Sequence, residues 1–483
     1  MKKKNFIMRG TKLHLGALMM GALLFASCAD TYDGKDTFSG GVTNTTLDSP
    51  DESGIEITPS TDGTQQTITW PVVFGAGGYE VSLYDVNDPN APVVIEGIEN
   101  KVIDGCSLTS SRPEDTNFKL TVRTLGNEKL NNKEAVTSTE KNFSSFIASI
   151  AQIPEGDLYS YFQSNQIPDA SDMLYYDLIP GGNYTLSDAV DFLSHKVTLR
   201  TTSKNNHAKI TYTGNSACLQ SGTSFGVKYV DFDCAASTTA PFQMSKTLDE
   251  SIMGLVSGTQ NYYDIVDPIL IMGCNFENVN GKFMYDNGQK YGIGSLDIKD
   301  CVVHLTTNTA STIVFDFRGG GVVSLSVQNS TFYNTGDQDH SYFVQYGNNA
   351  RATRMGYTEN LISYQNSTFY NIAKAGQWGN YSGFNGQSCS YWVMTNCIFV
   401  DCSNNAVARR FVGGAINSSH PTFANNTYMF DGAFEENSSY DQSGTQITED
   451  PKFANPANGD FTVNGAAQIQ KRTGDPRWLP AND

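Results

Sequence analysis

Six segments of one pattern recur through the C-terminal part of the chain, at 271–276, 298–303, 327–332, 364–369, 394–399 and 423–428. Each opens on an apolar residue, continues with a mostly polar pair, and sets a small residue fourth and an apolar residue sixth. The fourth positions are Cys274, Cys301, Ser330, Ser367, Cys397 and Asn426; the sixth are Phe276, Val303, Phe332, Phe369, Phe399 and Tyr428. Spacings of 27, 29, 37, 30 and 29 residues are too uneven for a rigid repeat. They suit a solenoid whose coils carry loops of different length on one face. Coils stacked about 4.8 Å apart would align like side chains into ladders. Cys274, Cys301 and Cys397 are therefore expected to be buried and unreactive, acting as small apolar groups.

A second register lies twelve residues further on. Val303, Phe332 and Phe399 are followed there by Phe315, Val344 and Phe411, in segments read as strands Ile313–Phe317, Tyr342–Tyr346 and Val407–Val412. Gly-rich turns follow at 319–321, 347 and 413–414. Parallel strands joined by short turns at this period describe a parallel β-helix over residues 197–483. Residues 146–196 read as a linker and cap, with a short amphipathic helix over 186–193 covering the open end.

The N-terminus reads as a targeting signal over residues 1–27. Lys2, Lys3, Lys4, Arg9 and Lys12 precede an apolar run, Leu13 to Phe25, that is too short to span a bilayer. It ends at Phe25, Ala26, Ser27 and Cys28, which resembles a bacterial lipobox. That resemblance implies lipidation of Cys28, and Asp30, Asp33 and Asp36 just after it resemble an export signal for the outer leaflet. Removal of the signal takes the formal charge from −18 to −23, which argues against nucleic acid and anionic lipid as partners. Residues 28–62, rich in Thr, Ser, Gly and Asp, read as a flexible tether. Over 63–145, the runs at 67–71, 78–84 and 118–123 alternate apolar and polar residues. Their order, with Trp70 and Tyr79 as core aromatics, resembles a fibronectin type III domain.

The tail carries Asp450 to Phe453, Asn458 to Thr462 and Gly474 to Trp478. It resembles the closing coil of pectate-lyase-like β-helix proteins of Bacteroidetes, in families described only as domains of unknown function. The resemblance spans nearly the whole mature chain. It implies an all-β protein: a fibronectin type III-like sandwich followed by a right-handed parallel β-helix. It also implies a lipid-anchored outer-membrane protein of a polysaccharide-utilisation locus, facing outward, with a polysaccharide (pectin among the candidates) and a glycan uptake complex as partners.

Fold does not decide chemistry. A lyase would need calcium-binding carboxylates and an Arg or Lys base. Asp316 with Arg318, Arg351 with Arg354, and Arg409 with Arg410 are isolated ingredients, and no run has calcium-ligand spacing. A hydrolase would need paired carboxylates, for which Asp264, Asp267, Asp286, Asp297, Asp300 and Asp316 are candidates without register. The six histidines form no metal-ligand pattern, and CxxC is absent. Glycan binding asks for less: exposed aromatics to stack on sugars, and amides and charges for the hydroxyls. Trp378 and Tyr381 lie in a polar, Gly-rich segment, where Trp378 either borders a binding face or covers the core. If Phe315, Val344 and Phe411 point inward, Asp316, Gln345 and Arg410 or Val412 point outward beside Arg318. This favours a non-catalytic glycan-binding protein without cofactor. A lyase or hydrolase, the former with calcium, and a structural or adhesin-like protein remain the alternatives.

Overall fold

The computed structural model describes residues 41–256, 260–347, 357–381, 384, 387–413, 419–434 and 440–481. The signal segment, Cys28, Arg351 and Arg354 lie outside them. Two units separate, one of residues 149–201 and 206–483, the other containing residues 41–148 with 202–205.

The smaller unit is antiparallel. Strands Glu56–Pro59, Gln65–Thr69 and Ser107–Ser111 form one sheet, and a second is built around Tyr79–Asp85 and Asn117–Thr124. Asn117–Thr124 alternates half-buried and buried positions without a break, as period-two patterning requires. Its inward residues Phe118, Leu120 and Val122 pack with Ile68, Trp70, Tyr79, Val81 and Leu83. Trp70 meets Tyr79 edge-on at 5.6 Å. The expected tether is corrected over its described part: Leu47 and Ile55 are buried, and Glu56–Pro59 pairs with Gln65–Thr69. The polar composition of this segment belongs to an edge strand whose few apolar residues anchor it.

The larger unit is built of parallel sheets, and the chain is all-β. Among the described residues there are sheets of 12, 11 and 7 strands. One coil runs through Tyr291–Lys299 in the first sheet, Val302–Leu305 in the second and Thr312–Phe317 in the third. The next runs through Gly321–Gln328, Thr331–Asn334 and His340–Tyr346, each strand parallel to its predecessor. This winding is compatible with a parallel β-helix. Parallel pairing already begins at Ala151–Ile153 with Leu174–Leu178, ahead of the expected start at residue 197; these first coils lack the Asn/Cys/Ser signature that marks the later ones in the sequence.

Register reproduces the six-segment alignment residue by residue. Ile271, Ile298, Val327, Tyr364, Met394 and Phe423 pair in succession, as do Phe332, Phe369, Phe399 and Tyr428. Between the two strands of each segment the chain turns a corner through a left-handed residue: Gly273, Asp300, Asn329, Asn366, Asn396 and Asn425. Asn and Asp tolerate that conformation better than other side-chain-bearing residues. Their side chains also bond rung to rung, Asn396 to Asn366 at 3.1 Å and Asn425 to Asn396 at 3.0 Å. Just inside the corner, Cys274, Cys301, Ser330, Ser367, Cys397 and Asn426 are fully buried. The Ser330 hydroxyl donates to the Gln328 carbonyl at 2.7 Å and accepts the Cys301 N–H at 3.0 Å. Each small polar residue thus satisfies backbone groups that the corner would leave unpaired.

Two expected elements differ. Residues 183–191 hold two short strands, Asn183–Leu186 and Val190–Asp191; Val190 and Phe192 alternate into the core while Leu193 is exposed. The helix lies earlier, at Leu158–Ser164, capped by the Asp157 side chain. Its Phe162 packs on Tyr176 and Phe192. Residues 407–412 are not a strand: Val407–Phe411 is an α-helix. A strand with Phe411 inward would also point Arg409 into the core, where an unpaired charge is costly. The helix buries Val407, Ala408 and Phe411 and leaves Arg409 exposed.

Candidate functional site

The third sheet presents a continuous polar column. Its strands are short, from Val190–Asp191 through Leu219–Ser221, Phe242–Met244 and Met284–Tyr285 to Thr312–Phe317, His340–Tyr346 and Gln377–Asn380. Pairing aligns Asp191, Gln220, Gln243, Tyr285, Asp316, Gln345 and Asn380 rung by rung. Their neighbours Leu219, Phe242, Met284, Phe315 and Val344 are buried, so alternation turns the polar members away from the core, although Asp316 and Gln243 are covered by their own contacts.

Asp316 is the electrostatic centre of this face. Its carboxylate takes a bidentate pair from Arg318, Nε to Oδ1 at 2.8 Å and Nη2 to Oδ2 at 2.9 Å. Lys282 Nζ adds 2.7 Å to Oδ2 and sits 3.9 Å from the centre of the Tyr285 ring. Burial alone would raise the Asp316 carboxyl, but the hydrogen bonds and charges of Arg318 and Lys282 outweigh it and hold the group below its usual range. Behind it, Asp286 accepts the N–H groups of Gly288, Gly319 and Gly320 at 2.8, 2.7 and 3.0 Å. Burial pushes Asp286 up to about 6 despite those bonds, and neighbouring Asp316 adds to the rise. Asp286 fastens the turn at 319–321, which passes so close to the coil below that a Cβ at Gly320 would collide with the Tyr291 backbone. By contrast, the amide of Gln345 and the hydroxyl of Tyr285 have no hydrogen-bond partner among the described residues.

The outer face of the second sheet is occupied by its own contacts. His304 joins Glu277 and Thr335 at 2.7 Å each and stacks on Tyr333. The tail covers later rungs, with Phe461 against Tyr333 and Tyr370. Among the described residues no three His, Cys, Asp or Glu side chains are grouped to hold a metal ion.

Three family models match the chain. Each is described as a domain of unknown function, and they cover residues 1–178 (DUF4992), 182–335 (DUF4957) and 362–478 (DUF5123). The second match starts one residue before a strand of the second sheet and ends one residue after another; the third ends at Trp478. No curated protein and no solved structure matches.

Of the residues singled out in the sequence, the fold gathers Asp316, Arg318 and Gln345 on the third-sheet face. Trp378 and Tyr381 are corrected: both are fully buried. Trp378 packs against Phe343 at 4.5 Å, Phe369 at 4.9 Å and Phe399 at 5.0 Å, so neither ring can stack on a sugar. Arg410 is corrected too, since it lies on the helix Val407–Phe411 rather than on a strand of the face. Sequence reasoning missed Lys282, Tyr285, Gln220, Gln243 and Asn380, whose strands are mostly too short to show alternation.

Proposed function

We propose that this chain is a non-catalytic, cell-surface polysaccharide-binding protein whose glycan lies along the outer face of the third parallel sheet. The seven-rung polar column carries this reading. Its members repeat at about 4.8 Å, a step comparable to one sugar residue. Amides and a phenol both donate and accept, as sugar hydroxyls require. Gln345 and Tyr285 support it further, because their polar atoms are not committed to other described residues.

The lipid anchor on Cys28, the outer-membrane location and a partner uptake complex belong to the same reading and rest on the lipobox resemblance. The antiparallel unit serves as a fibronectin type III-like spacer. The coils are taken as a right-handed β-helix, the hand that parallel crossovers overwhelmingly adopt.

The lyase or hydrolase alternative would draw on Asp286 and Asp316, two carboxyls displaced in opposite directions, a pattern typical of acid and base partners. Both are already committed. Asp316 is saturated by two cations, and Asp286 by three backbone amides. Affinity electrophoresis across a glycan panel, beside an absorbance assay for β-elimination with calcium, tests the reading. Retardation without unsaturated product supports it; turnover above background moves the protein to the enzymes.

A further inference from the structure

We infer that the third-sheet face takes an uncharged polysaccharide and rejects uronate polymers; this deepens the glycan-binding reading and rests on it. Two cations flank the column, Lys282 and Arg318, and both are spent on Asp316 at 2.7 to 2.9 Å. The Arg318 guanidinium uses its Nε and one terminal nitrogen in a bidentate pair, the geometry that a uronate carboxylate would otherwise occupy. A uronate could reach only the remaining N–H groups of an Arg318 whose charge is already shared with Asp316, and it would set a second negative charge beside that buried carboxylate.

Nothing else on the column supplies a positive charge. Its seven members are two carboxylates, four amides and one phenol: Asp191 and Asp316, Gln220, Gln243, Gln345 and Asn380, and Tyr285. Asp286 adds a further carboxyl directly behind Arg318, close enough to act on its charge. The chain as a whole carries −18, so a polyanion is repelled at long range as well. Neutral sugar hydroxyls meet no such penalty, because the free amide of Gln345 and the Tyr285 hydroxyl offer both donors and acceptors.

The pairing also predicts how to reverse the preference. Asp316→Asn would release Lys282 and Arg318 and leave the face positive. Gln345→Arg, at a half-exposed rung, adds a cation without disturbing the buried group, and covers the case in which Asp316→Asn fails to fold.

The test is affinity electrophoresis of the mature chain in gels containing a β-glucan, a galactomannan and an arabinan, and in gels containing polygalacturonate. The expected result is retardation by at least one neutral polymer and none by polygalacturonate. Its strength should change less than about twofold between low and high salt, because no ion pair to the ligand is screened. Gln345→Arg, and Asp316→Asn if folded, should gain retardation by polygalacturonate. Retardation of the wild type by polygalacturonate equal to or stronger than by every neutral polymer overturns the inference and leaves glycan binding standing. Failure of both variants to gain polygalacturonate binding also overturns it. No retardation by any polymer overturns the inference and the glycan-binding reading together.

Discussion

The indole N–H of Trp478 donates to the Thr331 hydroxyl at 2.8 Å, closing a contact across 147 residues. The same hydroxyl donates to Asp475 at 2.8 Å, and Arg477 secures that carboxylate at 2.9 Å. The tail is therefore a clasp on the second sheet, fastened at Thr331 and packed through Phe461. Trp478→Ala should destabilise the larger unit by about 2 kcal/mol, through lost packing and one lost hydrogen bond. Trp478→Phe should cost only about 1 kcal/mol. Urea midpoints at constant m-value check both; no loss in Trp478→Phe would show that the hydrogen bond contributes nothing, and equal losses in the two variants would show the same of the ring's packing.

Trp378 gives the clearest separation of core from site. Its ring is fully buried, and its Nε1 has no hydrogen-bond partner among the described residues. Trp378→Ala should cost about 3–5 kcal/mol. Trp378→Phe should cost much less, since it removes an unsatisfied polar atom along with some volume. Thermal denaturation measures the two. Glycan affinity of the Phe variant should equal that of the wild type, whereas a surface platform would lose it.

The Cys column should be inert. Burial pushes the Cys397 thiol up to about 12 and the Cys274 thiol well above its usual range, and Cys301 is equally buried. Only Cys106 and Cys389 among the described thiols are partly exposed. Titration of a chain beginning after Cys28 should label those two first, and the six buried thiols, Cys274, Cys301 and Cys397 among them, only in denaturant. Rapid native labelling of Cys274, Cys301 or Cys397 would contradict the register.

How much of this was legible in the sequence follows from element length and spacing. The column Ile271, Ile298, Val327, Tyr364, Met394, Phe423 and its aromatic companion were readable because one pattern recurs six times. The third sheet was readable only where it is long, at Phe315 and Val344. Met284–Tyr285 offers two residues, too few for alternation to show Tyr285 outward. Arg318 lies two residues from Asp316, so that pair was visible in the sequence, whereas Lys282 joins it from the preceding coil, which no linear spacing reveals. Trp378 misled because its Gly and Asn neighbours look like a loop, whereas Gln377–Asn380 is the last strand of the sheet and Gly379 gives the Tyr381 ring room to pack.

His340 supplies a pH prediction. It is buried, with Nε2 at 3.0 Å from the Gly281 carbonyl and 2.9 Å from the Thr307 hydroxyl, and burial lowers it to about 4. Its folded value lies below its unfolded one, near 6.5, so the unfolded chain binds the proton first as pH falls. The stability it contributes is complete above about 6.5 and is lost progressively toward pH 4, by about 3 kcal/mol. Asp286 and Asp475, both raised to about 6, act in the opposite sense between about pH 6 and 4. They cancel when wild type is compared with His340→Gln. The stability advantage of the wild type over that variant should shrink from pH 7 to pH 4; a constant difference would contradict a neutral, buried imidazole.

The central claim is that glycan is held on the outer face of the third sheet. Isothermal titration of the neutral polysaccharide that retards the protein most, against wild type, Gln345→Ala and Arg410→Ala, tests it most directly. The account predicts that Gln345→Ala weakens binding about fivefold to tenfold, the worth of one hydrogen bond, while Arg410→Ala leaves it unchanged. Loss of affinity in Arg410→Ala with full affinity in Gln345→Ala would place the glycan elsewhere and contradict the account.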